Sequence, residues 1–203
     1  MRRSLFILLT AVLIAPTGLM AQKVYKDGTK IILDMTVAAG MPADAVTDVK
    51  KYVGVTTAPA SGTLLLGTGD VTNLPSGSIN ATVYEKLEIA PLDVNHATTD
   101  PTVLGAGTVM IWQNAFNRCK GLVYGDGVAG DWRLPTHREL MMMWIFRTKI
   151  NDMATSSFVT ADLYWSSTET GSDTAWGVSF GNGPMSLNLF KTSGSRVRCV
   201  REE

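Results

Sequence analysis

Apolar positions recur along this chain with two different spacings, and the change from one to the other orders its second half. In "IWQNAFNRCKGL", Trp112, Ala115, Phe116 and Cys119 fall on one helical face, and Gly121 suits the position just past the helix end. A second helix is expected over "HRELMMMWIFRTKI", apolar on most faces from Leu140 to Phe146 and therefore heavily covered by the rest of the domain. Its three methionines leave open a second reading, an adaptable contact surface. Beyond it the period becomes two. "YWSSTE" carries aromatic and β-branched residues, "TAWGVSF" sets Trp176, Val178 and Phe180 on one side, and "MSLNLF" does the same with Met185, Leu187 and Leu189. "GNG" at 181–183 joins the last two as a hairpin, and "TSGS" at 192–195 turns the chain into a final strand, "RVRCVR". Upstream, "VYEKLEIAP" reads as a strand with Tyr84, Leu87 and Ile89 facing the core. Strand, helix, helix and antiparallel meander predict an α+β domain.

The N-terminal part is patterned differently. Arg2 and Arg3 precede the apolar run "LFILLTAVLIA", with Pro16, Gly18 and Ala21 after it, the three-part layout of a secretory signal peptide cleaved after Ala21. The run is shorter than the roughly 20 residues that span a bilayer, which disfavours a retained anchor. No cysteine stands at the cleavage point, so a lipid anchor is not expected there. Residues 22–82 hold a short alternating segment at "KIILDMTV" and then a stretch rich in Gly, Ser, Thr and Pro. They are expected to form one or two strands plus a linker, too poor in apolar residues for a core of their own. "NAT" at 80–82 matches a glycosylation sequon, a match common by chance. The division is therefore 1–21 signal peptide, 22–82 extension and 83–203 domain.

Charge adds little. The 18 basic and 18 acidic residues balance, and loss of residues 1–21 removes only Arg2 and Arg3 among them, leaving about two negative charges. Nothing in that balance calls for nucleic acid or an anionic membrane as partner. About 180 of the 203 residues remain, enough for one domain with an extension.

Candidate chemistry is concentrated in "DWRLPTHREL", and most of it concerns the backbone. Gly130 and Asp131 shape a turn, Pro135 keeps Leu134 extended, and Thr136 with Glu139 has the Thr-x-x-Glu spacing of a capping box. Trp132 is expected to pack inward and Arg133 to bond nearby carbonyls, although both residue types also recur in binding sites. His137 has no partner in sequence and is expected to be solvated. The two cysteines, Cys119 and Cys199, favour a disulfide in an exported chain. Metal binding would need further ligands, and His96 and His137 lie in unrelated contexts. A reactive thiol pair is the lesser alternative, because neither cysteine sits in Cys-X-X-Cys.

The succession "WQNAFNRC", "DWRLPTHREL", "YWSSTE", "AWGVSF" and "RVRCVRE" resembles the Lcl C-terminal domain family, named for a bacterial collagen-like adhesin, and is similar to major paralogous domains of exported bacterial proteins. The resemblance runs from near Val83 to the end. It implies a variant of the C-type lectin-like fold, with N- and C-terminal strands paired and two helices flanking a small antiparallel sheet. It also implies a bond between the helix cysteine and the last-strand cysteine, which here are Cys119 and Cys199. The Glu-Pro-Asn, Gln-Pro-Asp and Trp-Asn-Asp triplets of calcium-dependent sugar binders do not occur, and no clustered acidic ligands are visible. Formylglycine-generating enzymes of a related branch need a reactive cysteine pair, whereas both cysteines here occupy the structural positions.

The expected function is an exported, non-enzymatic binding protein, an adhesin or fimbria-associated module at the cell surface or secreted, with the periplasm as a further location. Its partner would be a glycan or matrix protein met through loops: the connection between the capped helix and "YWSSTE", the stretch Glu169 to Asp173, and the Asn182 tip. Neither a cofactor nor a metal is expected. Two alternatives are a structural subunit of a surface assembly, with residues 22–82 exchanging a strand with a neighbour, and an enzyme. The latter finds no Ser-His-Asp arrangement, phosphate loop or zinc spacing to support it.

Overall fold

The computed structural model describes residues 23–36, 86–94, 104, 107–155, 157–181 and 186–203, with only the backbone of residues 186 and 187. The expected signal peptide, Tyr84, His96, Met185, the "NAT" sequon and the Asn182 tip lie outside them. The described residues form an α+β arrangement of three helices and two antiparallel sheets.

The first sheet has the order β1-β2-β3-β7, made from Val24–Asp27, Lys30–Asp34, Lys86–Ile89 and Val200–Glu202. Gly28 adopts a φ of 58° in the tight β1–β2 connection, a conformation that favours glycine. The "KIILD" segment of the expected extension is thus β2, and it pairs with β3 from Ile31 opposite Ile89 to Asp34 opposite Lys86. The two N-terminal strands consequently share a sheet with the domain. Val24, Ile31, Leu33 and Met35 are buried with Leu87, Ile89 and Val200, at roughly 2 kcal/mol of apolar burial for each such side chain.

The second sheet is the predicted meander, β4 (Leu163–Gly171), β5 (Thr174–Ser179) and β6 (Ser186–Phe190). It lies between two cores. Tyr164, Val178 and Phe180 join the core under α2 (His137–Ile145) and α3 (Arg147–Met153), together with Leu140, Met143 and Ile150. Trp165 and Ala175 join a second core on α1 (Trp112–Gly121), built from Trp112, Ala115, Phe116 and Cys119 with Trp132 and Leu134. The final segment leaves the meander and pairs, as β7, with β3, so the first and last strands of the domain are joined as the resemblance implies. On the way it ties the sheets together. Arg196 exchanges backbone bonds with β4 residues, while Val197 and Cys199 accept from Val94 and Ala90.

The stretch expected as one covered helix is two. Phe146, at φ −96° and ψ 12°, separates α2 from α3. The bend lets Ile150 reach the core while the Phe146 ring meets the Lys23 ammonium at 5.9 Å. Only Glu139, Leu140 and Met143 of α2 are buried, Met141, Met142 and Trp144 are partly covered, and Ile145 is 54% exposed. One apolar stripe, then, faces the core. Gly121 is also shifted from its expected place. It is the last residue of α1, and the extended Leu122 caps the helix by donating its N–H to the Cys119 carbonyl.

Candidate functional site

The corner 130–139 is held by hydrogen bonds within itself and to β4 and β7. Thr136 Oγ1 accepts from the Glu139 N–H at 3.3 Å, and Glu139 Oε2 accepts from the Thr136 N–H at 2.7 Å, the two bonds of the predicted capping box. Pro135 sits between Leu134 and this cap, and its carbonyl accepts from the Ser167 N–H of β4 at 2.8 Å. Arg133 goes well beyond nearby carbonyls. Its guanidinium grips both Glu139 oxygens at 2.7 Å, donates to Glu202 at 2.8 Å and reaches the Leu134 carbonyl at 3.1 Å. Burial of Arg133 opposes its charge, but Glu139 and Glu202 outweigh that and hold its pKa above the ordinary value.

Trp132 is fully buried, with Tyr124 edge-on at 6.3 Å and the Arg201 guanidinium 5.1 Å from its ring. A Cβ on Gly127 would fall 2.6 Å from Trp132 Nε1 and 2.7 Å from Arg201, so the turn over this ring requires glycine. Arg201 is clamped by Glu88 and Asp126, and the bonds that Asp126 accepts from Arg201 first and Lys30 next pull its pKa down to about 2. Arg198, wholly buried, donates to Asp93 at 2.6 Å, and Asp93 also accepts from the Tyr164 hydroxyl at 2.9 Å. Burial first, and Asp93 next, raise the Tyr164 pKa. Cys119 and Cys199 are bonded, with Cα atoms 5.5 Å apart.

Most of these groups are buried and engaged with one another, with Asp126 at the surface. Glu169, expected on a loop, is instead on β4 and buried. Its carboxylate binds the Lys191 ammonium, which also donates to the Ser172 carbonyl and lies 4.6 Å from the Trp112 ring. A lone lysine inside an aromatic core needs a counter-charge, and Glu169 supplies it. Asp173 is on the exposed β4–β5 turn as expected, where its carbonyl accepts from the Lys191 N–H.

The opposite face of the sheet is half covered. In β5 and β6, Thr174 stands opposite Phe190 and Trp176 opposite Asn188, and alternation puts these four on the face away from Ala175 and Leu189. Thr170 joins them, its hydroxyl bonded to Thr174 Oγ1 at 2.8 Å and to the Asn188 amide oxygen. Toward Val178 this face is roofed by α2, whereas at the other end Asn188 is exposed and Phe190 is 66% exposed. Trp176 stands at the boundary, partly exposed, with the His137 ring stacked on it at 5.0 Å and 17°. His137 is therefore half-buried rather than solvated, and its N–H donates to Thr168 Oγ1 at 2.9 Å. Burial, and then the Arg138 charge, lower its pKa, which favours the neutral ring. Aromatic rings beside hydroxyls and a carboxamide can stack on an apolar ligand surface and exchange hydrogen bonds with its edge.

Sequence reasoning set Trp176 on one side of its strand with Val178 and Phe180 and did not find this patch. The reason is physical: its members come from α2 and three strands, and no local spacing records that they meet. The residues of the corner and the disulfide come together as expected. Glu169 and Asp173 are not brought together, because Glu169 is buried on β4 and Asp173 lies at the exposed turn. Among the described residues, no group of three or more His, Cys, Asp or Glu side chains is placed to hold a metal ion.

Comparison with curated proteins finds no match to the chain. The model of the Lcl C-terminal domain matches residues 88–201, from within β3 to within β7, so it takes in all three helices and the whole second sheet and leaves β1 and β2 outside. The match covers more than half of the 203 residues and includes both bonded cysteines and the entire corner. On that ground the chain belongs to the Lcl C-terminal domain family.

Proposed function

We propose that the protein is an exported, non-enzymatic binding module of the cell surface, an adhesin or fimbria-associated component whose fold is a variant of the C-type lectin-like fold. Its ligand is an uncharged glycan, or the glycan of a matrix protein, held on the open end of the second sheet. The observation that carries this reading is the patch of Trp176, Thr170, Thr174 and Asn188, with His137 beneath the indole and Asp173 at the rim. A pyranose has an apolar face that stacks on an aromatic ring and a hydroxyl fringe that bonds to amides and hydroxyls, and the patch offers both kinds of group. Membership of the Lcl C-terminal domain family favours a surface-associated binding module. The signal-peptide layout of residues 1–21 supports export, and no helix among the described residues is long and apolar enough to cross a membrane.

The test is an array of glycans and matrix proteins probed with the full chain after export. The native protein should give discrete signals that fall at least about tenfold for Trp176→Ala and for Asn188→Ala, a loss of roughly 1.4 kcal/mol each. A blank array with folded native protein removes the reading, as does retention of every signal by both variants.

A further inference from the structure

Sheets end in edges, and each edge strand carries unpaired N–H and C=O groups that invite another strand unless something blocks it. Three of the four edges here are managed. β1 carries Lys26 and Asp27, both exposed. β7 is bridged on its outer side, where Arg133 and Val200 exchange backbone bonds at 2.8 and 2.9 Å. The outer side of β4 is closed by Arg196, which bonds to Leu163 and Trp165, and by Pro135, which accepts from Ser167. β6 differs. Its sequence "SLNLF" contains no charge and no proline, its ladder to β5 has no bulge, and it ends in the exposed Phe190. The nearest cation, Lys191, would ordinarily guard such an edge, but it is turned inward onto Glu169. Among the described residues, the backbone bond recorded at β6 beyond its ladder is Ser193 N–H to the Phe190 carbonyl at 2.8 Å.

We infer that β6 is an interaction strand whose partner is β6 of a second copy of this chain, paired antiparallel about a twofold axis through Asn188. The choice of occupant rests on self-complementarity. "SLNLF" reads as apolar, polar, apolar about its centre from either end, so the twofold sets Asn188 against Asn188, Leu187 against Leu189 and Ser186 against Phe190, with no charge opposed. A partner bearing charges along its strand would lose hydration without finding a counter-charge at this edge. Pairing fuses two three-stranded sheets into one of six strands and takes both Phe190 rings out of water. A perpendicular twofold keeps equivalent faces on the same side, so the two Trp176 patches lie side by side and a repeating ligand meets two sites at once. A five-residue contact is small, so the dimer is weak and concentration-dependent. The dimer itself does not depend on what the patches bind.

Sedimentation of the full chain over a range of concentrations tests it without any ligand. The native protein should shift from monomer to dimer as concentration rises. Asn188→Lys and Asn188→Asp, each placing like charges opposite one another across the axis, should each weaken dimerisation at least about tenfold. An equimolar mixture of the two should recover the dimer, because Lys then faces Asp, and recovery also shows that both variants are folded. The inference is overturned by a native chain that stays monomeric throughout, by a dimer indifferent to charge at 188, or by a mixture that fails to recover.

Discussion

His137 acquires its environment entirely from residues distant in sequence. It opens α2, donates its N–H to Thr168 and lays its ring on Trp176. Since burial and Arg138 lower its pKa, the fold prefers the neutral imidazole, and the sign of the consequence follows. The stabilisation is present above the ordinary value near 6.5 and is lost as pH falls through the lowered value. In NMR titration the His137 ring should therefore protonate below pH 6.5 in the native protein. Stability measured by urea unfolding should fall between pH 7 and pH 5 more steeply than in His137→Phe, which keeps an aromatic ring there but cannot charge. A ring that titrates at or above 6.5 would contradict the burial described.

At the scale of elements, the join between strand-like Arg133 and α2 shows how far local sequence reads. The capping box was legible because Thr136 and Glu139 are three residues apart and both halves are local. Arg133 was not, since its fork depends on Glu139 being turned inward and on Glu202 arriving from β7. One carboxylate serves both the helix cap and the buried guanidinium. Glu139→Gln keeps an acceptor for the Thr136 N–H but removes the counter-charge, and leaving a buried cation short of its partner costs about 3 kcal/mol. Urea unfolding of the variant at neutral pH measures this, and a loss under about 1 kcal/mol would mean that Glu202 alone suffices. The break at Phe146 was equally hidden, because the apolar run continues through it and only the position of the Ile150 pocket demands the bend.

For the molecule as a whole, the helices, the meander and the cysteine pair were readable from periodicity and count, while the layout of two sheets was not. Strand partners such as Leu87 and Glu202 lie at opposite ends of the domain, and alternation says which side of a strand is apolar without saying which strand it joins. The disulfide closes a loop of 80 residues between α1 and the segment that stitches both sheets. In the loop-entropy account its removal by Cys119→Ala with Cys199→Ala lowers stability by about 4 kcal/mol, to be read from denaturant midpoints at constant slope. Little or no loss would show that packing alone holds the C-terminal segment. The register of Asp34 opposite Lys86 has a different outcome, because neighbours in the sheet are there separated by residues 35–85 of the chain. A peptide bond cut between residues 36 and 86 would break the chain, while the backbone hydrogen bonds between β2 and β3 join residues on either side of the cut. The N-terminal hairpin then stays docked as a noncovalent fragment, and the clipped protein travels as a single particle until it is denatured.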